Sequence, residues 1–189
     1  MTDLLARARA WVAEIHPHAR HLLRTEDWLL ELDRGAGEQV RLAAVLHDIE
    51  RAFPVADSPW DSARDWDSPE YNRWHQDRCA TIAADWLREQ GAPAELVEGV
   101  AELIAVHEEG GWPEANLVQA ADSLSFLETM VPLVVGWAES GRAPRERAAA
   151  KLQSSLDRID PGLTHARELA APMLVEALAT LDAVAMQAP

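Results

Sequence analysis

Cysteine and lysine are almost absent from this chain of 189 residues, which has one of each, Cys79 and Lys151. A single cysteine excludes an intrachain disulfide framework and a zinc site built from several thiolates. Basic residues are also few: 17 Lys and Arg stand against 32 Asp and Glu, a formal net charge of −15. Because so acidic a chain repels phosphate backbones, we expect neither a nucleic-acid polymer nor an anionic membrane as its partner.

A long apolar run is missing as well, and the amphipathic first 20 residues are interrupted at Pro17. These features argue against a signal peptide and a membrane span, so we expect a cytoplasmic protein. Hydrophobic residues make up 48% of the chain and charged residues 26%, a balance typical of a folded protein.

Apolar residues recur three and four positions apart through most of the sequence, without sustained period-two alternation. This spacing predicts an all-α fold of seven or eight helices, forming a single domain over residues 1–189. The predicted helices cover about 2–15, 17–33, 38–50, 70–90, 93–108, 114–138 with a kink at Pro132, 143–159 and 162–185. The last two helices, over about 143–185, either pack on the core or form the surface of a homodimer.

The longest irregular stretch, 54–69, is rich in proline and aspartate and carries Trp60 and Trp66. This composition predicts a loop. Its rings either act as a lid that stacks on a substrate base or only cover the helix ends. Farther along the chain we expect a small, solvated basic face, made of Arg142, Arg145, Arg147 and Lys151.

Polar residues interrupt the apolar stripes of five predicted helices: His21, His47 with Asp48, His75, His107 and Asp122. An unpaired buried polar group costs about 1–3 kcal/mol, so one such residue alone is usually a core histidine bonded to a carbonyl. Burial of several such side chains becomes favourable when they converge on one cation, which supplies the missing partner to all of them. Imidazole and carboxylate together suit Fe, Mn, Zn, Ni or Co.

The order of these residues resembles the H…HD…D signature of the HD-domain metal-dependent phosphohydrolase superfamily. The segment LAAVLHDIER resembles the helix that ends in HD-I-G-K in that family, and QAADSLSFL resembles the helix with its final Asp. His75 and His107 match the H…HD…H…H…D subset, whose members hold two metals. That subset includes a diadenosine-tetraphosphate hydrolase branch and the mixed-valence di-iron oxygenases related to myo-inositol oxygenase. The resemblance covers about residues 17–137 and implies an HD-like helical bundle.

The resemblance also implies a role for each matching position. Asp48 would bridge two divalent or mixed-valence ions, foremost iron, with Mn, Zn, Ni, Co or Mg as the other candidates. One ion would be completed by three residues, His21, His47 and Asp122, and the other by two, His75 and His107. His18 also has a spacing that allows it to be the first ligand, but HLLRTED after His21 resembles the family pattern more closely.

Residues around the ligands receive further predictions. Arg51 occupies the place of the family lysine, near the leaving phosphate, whereas Glu50 stands where the family has glycine. We therefore predict Asp48 and Arg51 as catalytic residues. The predicted substrate-binding residues are His18, Arg24, Glu50 and Arg73, and the expected surface histidines are His16 and His165.

The function implied by the resemblance is hydrolysis of a nucleotide or small phosphoester. A pair of metal ions lowers the pKa of a shared water, so that hydroxide is available at neutral pH. Two alternatives share the same residues: a mixed-valence di-iron oxygenase of the same fold, and a non-enzymatic, metal-stabilised module that binds a small ligand.

Overall fold

The structure is a computed structural model that describes residues 3–185. Within these residues ten helices follow one another without any strand, which confirms the predicted all-α fold. They are α1 (Asp3–Ile15), α2 (Ala19–Leu32), α3 (Glu38–Leu46), α4 (Ser62–Asp65), α5 (Pro69–Glu89), α6 (Ala94–Ile104), α7 (Pro113–Thr129), α8 (Val131–Glu139), α9 (Arg145–Asp157) and α10 (Thr164–Ala185). The start predicted for the first helix, Thr2, and the last four residues of the predicted domain lie outside the described range.

The two additional helices arise at places where the sequence pattern is interrupted. The single helix predicted over 114–138 is divided into α7 and α8, whose axes differ by 59°. Pro132 lies in the first turn of α8, where its missing N–H leaves no hydrogen bond unmade. The short helix α4 forms inside the predicted loop because the Asp61 side chain accepts a hydrogen bond from the backbone N–H of Ala63.

Apolar side chains gather in two clusters. The first is formed by α1, α2, α3, α5, α6 and the first half of α7, and it includes the fully buried Leu22, Leu46 and Ile104. The second joins the rest of α7 to the C-terminal helices through side chains such as Leu124 and Leu152. Burying each leucine or isoleucine of this kind stabilises the fold by about 1.5–3 kcal/mol.

Helix α7 belongs to both clusters because it is buried on nearly all sides. Val118 and Ala121 contact the first cluster, whereas Ala120 and Leu124 contact the second. A helix with an apolar surface all round is expected in such a position. Within residues 3–185 no single helix is long and apolar enough to cross a membrane. Together α7 and α8 reach that length and apolar composition, but the pair is bent by 59°.

Candidate metal centre

The structure brings all six predicted metal ligands together, although they come from five different parts of the chain. His21 lies in the first turn of α2, His75 in α5 and Asp122 in α7. The other three follow the ends of helices: His47 and Asp48 come directly after α3, and His107 comes shortly after α6. The rings form a continuous row, because the centroid distances are 5.2 Å for His21–His47, 5.3 Å for His47–His107 and 5.2 Å for His75–His107.

The adjacent residues His47 and Asp48 both reach the cluster because α3 ends just before them. His47 keeps helical dihedral angles, but Asp48 leaves them with φ −110° and ψ 16°, and a 3-10 turn over Ile49–Ala52 follows. In a continuous α-helix, neighbouring side chains are about 100° apart around the axis. The break in the helix therefore lets two consecutive side chains serve one centre.

The carboxylates lie against the Nε2 atoms of the histidine rings. Asp122 Oδ1 is 3.1 Å from Nε2 of His21 and 3.3 Å from Nε2 of His47. Asp48 Oδ1 is 2.9 Å from Nε2 of His75. Among residues 3–185, three sets of side chains have ligand atoms within 4.8 Å of one another: His21, His47 and Asp48; Asp48, His75 and Cys79; and His75, His107 and Glu108. Asp48 belongs to two of these sets, which suits the predicted bridging position.

The opposite ring nitrogen, Nδ1, is bound to a backbone carbonyl in two of the histidines. His47 Nδ1 lies 2.9 Å from the carbonyl oxygen of Ala44, and His107 Nδ1 lies 2.7 Å from that of Ile104. Because a carbonyl can only accept, Nδ1 carries the hydrogen and donates it. The neutral ring then has its lone pair on Nε2, which faces the centre.

Side chains have the same effect on the other two histidines. Ser125 Oγ donates its hydrogen to the backbone carbonyl of His21 at 2.7 Å, so it accepts from His21 Nδ1 at 3.0 Å. His75 Nδ1 lies 3.0 Å from Glu50 Oε1, a carboxylate that also accepts. In all four rings, therefore, Nδ1 is the donor, and Nε2 of the neutral ring is the nitrogen that can act as a ligand.

These residues fit a divalent metal ion. Metal-ligating histidines characteristically donate Nδ1–H to a carboxylate, carbonyl or other oxygen while Nε2 binds the ion. His75 Nε2 is buried and makes no hydrogen bond of good geometry, despite the nearby Asp48. Nitrogen and carboxylate oxygen donors together suit Fe, Mn, Zn, Ni and Co. The assignment of individual ligands remains a prediction.

Both aspartates are held ionised by neighbouring cations. Burial alone would raise the pKa of Asp48, but chiefly the Arg51 charge holds this pKa well below its usual range. Burial of Asp122 is outweighed in the same way, chiefly by the Arg158 charge, and its pKa is also held well below the usual range. Burial lowers the pKa of His107 to about 4, so this ring is neutral at pH 7.

A cavity of about 210 Å³ lies beside the cluster. It is lined by four cationic side chains, Arg51, Arg142, Lys151 and Arg158, and by three carboxylates, Asp48, Glu108 and Asp122. Its aromatic lining consists of Trp66, Tyr71, Phe126 and Trp137. A site of this composition has charge to hold an anion and ring surface to hold a flat or apolar group.

Two of the residues predicted around the ligands line this cavity. His18 lies at the N-terminal end of α2 on the cavity wall, next to the ligand cluster but outside it. Arg51 lines the same cavity and makes ion pairs with Asp48 at 3.5 Å and Glu50 at 3.0 Å. His21, not His18, therefore lies within the cluster of predicted ligands.

Three predicted substrate-binding residues do not line the cavity. Glu50 is 4% exposed, and its Oε1 lies 3.0 Å from Nδ1 of the predicted ligand His75. Arg24 is held outside by Glu128 and Asp27, with its Nη2 2.8 Å from Glu128. Arg73 is on the exposed side of α5. Both arginines are close to a predicted ligand along the chain, but the fold does not bring them to the cavity wall.

His16 was predicted to be a surface residue, but this prediction is wrong because its side chain is only 6% exposed. Its Nδ1 accepts the backbone N–H of His18 at 3.1 Å, so Nε2 donates to the Asp48 carbonyl at 3.1 Å. His16 thus anchors the backbone of the predicted bridging ligand. The sequence feature that could have indicated this role is the position of His16, two residues before His18 and just ahead of α2. His165 is exposed, as expected.

The basic face expected to be solvated is divided by the fold. Arg142 and Lys151 line the cavity, whereas Arg145 pairs with Asp182 at the surface and Arg147 with Asp67. The loop tryptophans are divided as well: Trp66 lines the cavity, and Trp60 packs beside Tyr71 with ring centroids 6.0 Å apart.

Two further charged residues of the site were not predicted. Glu108 directly follows His107, a position that could have suggested it. Arg158 follows α9 and has no local signal, yet its guanidinium donates to Asp122 and Glu108, and its Nε donates to Ser123 Oγ at 2.9 Å. Only the packing of α9 against α7 brings this arginine to the site.

Comparison with known proteins agrees with this geometry. The HD domain family matches residues 19–127, which include all six predicted ligands and more than half of the chain. No curated protein and no solved structure gives a significant match. Members of this family are mostly metal-dependent phosphohydrolases, and their domains bind divalent metals. The chain belongs to the HD domain family.

Proposed function

We propose that this protein is a metal-dependent phosphohydrolase that acts on a nucleotide or another small phosphoester. One observation carries the proposal: four buried imidazoles have Nδ1–H already bonded, and three of them turn Nε2 toward two ionised aspartates, beside a cavity that has four cationic side chains in its wall. Bound divalent ions supply a water of lowered pKa and polarise the phosphoryl oxygens.

Two ions are favoured over one because the potential ligand atoms extend along the row of rings. His21, His47 and Asp122 would hold one ion. His75 and His107 would hold the other, with Asp48 shared between them. Glu108 lies near this second position, with Oε1 3.8 Å from His107 Nε2.

The residues of the chain itself bind and orient the phosphate. Arg51 is fixed by Asp48 and Glu50, so its guanidinium is held at the cavity wall without further ordering. Preorganised cations of this kind stabilise charge that develops on a leaving group. Arg158 reinforces the same wall while keeping Asp122 ionised.

A small anionic substrate is compatible with the net charge of −15, because the local field of the cavity differs from that of the whole surface. The aromatic residues of the cavity wall offer stacking surface for a base or another flat group. The modest cavity volume favours a small molecule over a polymer.

The test starts with metal analysis of protein purified without chelator or a nickel column, followed by a panel of nucleotides and small phosphoesters. We expect about two ions per chain and metal-dependent release of phosphate. Asp48→Asn should abolish this hydrolysis, whereas Asp77→Asn, which removes an exposed aspartate from α5, should leave it unchanged.

Other outcomes would favour the alternatives. Two irons with a mixed-valence EPR signal and no turnover of any phosphoester would support the di-iron oxygenase. Protein that contains no metal and regains none on reconstitution would support a non-enzymatic binding module. Either result would refute the hydrolase proposal.

A further inference from the structure

Lys151 is the sole lysine of the chain, and it lies in α9 on the wall of the cavity. Among the residues that the structure describes, no acceptor or counterion is hydrogen-bonded or ion-paired with its ammonium group. Its contacts are instead with two aromatic rings, Trp66 with a centroid 5.3 Å away and Phe126 with a centroid 5.0 Å away. Such cation–π contacts orient an ammonium but supply no negative charge.

The other cations of the cavity differ from Lys151 because each is already paired. Arg142 binds Asp61 at 3.0 Å, and Arg51 binds Asp48 and Glu50. Arg158 binds both Asp122 and Glu108, so these carboxylates already have a cationic partner. The charge of Lys151 is therefore the one that an incoming anion can neutralise without breaking an existing pair.

The location of Lys151 puts that charge close to the metal centre. Phe126, which contacts the ammonium, has its ring centroid 6.1 Å from that of His21. An anion beside Lys151 would thus lie next to the row of histidines. An ammonium with three free N–H donors suits the oxygen atoms of a phosphate group.

We propose that Lys151 binds a phosphate oxygen of the substrate and that Trp66 and Phe126 hold its ammonium in place for this purpose. The inference deepens the proposed hydrolase function and rests on it. It assigns substrate binding to α9, which lies outside the segment matched by the HD domain family. The C-terminal helices would therefore contribute to specificity as well as to packing.

Because the chain has one lysine, amine labelling can report on this residue directly. The metal-loaded full chain is treated with an N-hydroxysuccinimide ester of acetic acid, and modification of Lys151 is measured by peptide mass spectrometry. Inorganic phosphate should slow labelling several-fold relative to chloride at equal ionic strength. The α-amino group serves as the internal reference, and its labelling should not change. Equal labelling of Lys151 in phosphate and chloride would overturn the proposal.

Substitution provides the second measurement. Lys151→Met should weaken binding of inorganic phosphate about tenfold or more by calorimetry, since a charged hydrogen bond is lost, while Lys151→Arg should retain most of the affinity. Arg145→Gln is the matched control, because it removes a positive charge from the same helix at an exposed pair with Asp182. Unchanged phosphate affinity in a folded Lys151→Met protein with its full metal content would contradict the inference.

These measurements are independent of turnover. Phosphate protection without hydrolysis of any phosphoester would support the anion site and refute the hydrolase function. Hydrolysis with no protection and no loss of phosphate affinity in Lys151→Met would support the function and refute the role of Lys151.

Discussion

The four histidines of the site differ from ordinary core histidines in the direction of their bonds. Each Nδ1–H is bonded to an oxygen of the protein, whereas Nε2 faces other potential ligands instead of a hydrogen-bond donor. This arrangement fixes one tautomer and one ring orientation before any ion arrives. The residue-scale predictions therefore concern the groups that hold the ligands.

Glu50 illustrates such a supporting group. In Glu50→Ala, His75 loses the partner of its Nδ1, and we expect affinity for the second ion to fall about 10- to 100-fold. Metal titration followed by calorimetry measures the change. Glu98→Ala, an exposed glutamate of α6, is the control. Wild-type affinity for both ions in Glu50→Ala would show that the carboxylate does not position His75.

Arg158 supports the site through two carboxylates. Burial of Glu108 would raise its pKa, but the Arg158 charge lowers it to about 2. Arg158→Met leaves Glu108 and Asp122 without their cation, and we expect the metal-free protein to lose about 3–5 kcal/mol of unfolding free energy. Added metal should reduce this loss by supplying another cation. Urea unfolding with and without chelator measures both values, and identical losses in the two conditions would speak against the metal site.

At the scale of secondary-structure elements, α2 and α7 are joined by side-chain hydrogen bonds that lie C-terminal to the predicted ligand of each helix. Glu128 of α7 accepts hydrogen bonds from Arg24, with Nη2 at 2.8 Å, and from Trp28 Nε1 at 2.7 Å. Both donors belong to α2, which also carries His21, while α7 carries Asp122. The clamp keeps together two helices whose ligands lie 3.1 Å apart.

This clamp predicts a pH dependence. Burial opposes ionisation of Glu128, but the hydrogen bonds from Arg24 and Trp28 lower its pKa below the ordinary 4.5. A carboxyl group with a lowered pKa stabilises the folded state above its unfolded pKa and loses this effect as pH falls through the folded value. Glu128→Gln should therefore be less stable by about 1 kcal/mol at pH 7, with a difference that shrinks below about pH 4.5. Thermal melts of both proteins from pH 7 to below about pH 4.5 measure the difference in stability. A difference that stays constant with pH would contradict the stabilising role of the ionised Glu128.

The whole molecule places a cavity with four cationic and three anionic side chains inside a strongly acidic chain. The net charge of −15 is the sum over the whole chain and does not give the local charge of the cavity. The cavity wall is built by side chains from both halves of the chain, for example Arg51 and Lys151. Because the predicted ligands come from five segments, a metal site can form only when the chain is folded. Metal binding at this site would therefore be coupled to folding.

We expect chelation to lower the melting temperature and Mn²⁺ or Fe²⁺ to restore it. An ion at 100 times its dissociation constant stabilises the folded state by about 2.7 kcal/mol. Differential scanning fluorimetry measures the shift. His47→Gln should greatly reduce it, whereas His165→Gln, which changes an exposed histidine, should keep it. A metal-independent melting temperature in the wild-type protein would contradict a folded-state metal site.

Most helices could be predicted from the sequence because apolar spacing and capping residues act over a few positions. α5, predicted over 70–90, spans Pro69–Glu89, and α2, predicted over 17–33, spans Ala19–Leu32. The break between α7 and α8 was expected only as a kink at Pro132, because a proline in a first helical turn also permits a new helix to start. The short α4 depends on a single capping aspartate in a loop, which is too weak a signal for prediction.

The sequence by itself determined the helical class and the linear order of the histidines and aspartates, since both follow from local spacing and residue type. The tertiary structure decided which of the surrounding residues belong to the site. Arg24, close to His21 along the chain, is turned away to Glu128, while Arg158 and Lys151 reach the cavity from more than 20 positions beyond Asp122. Helix packing determines such distances in space, and no local pattern in the sequence records how α9 packs against α7.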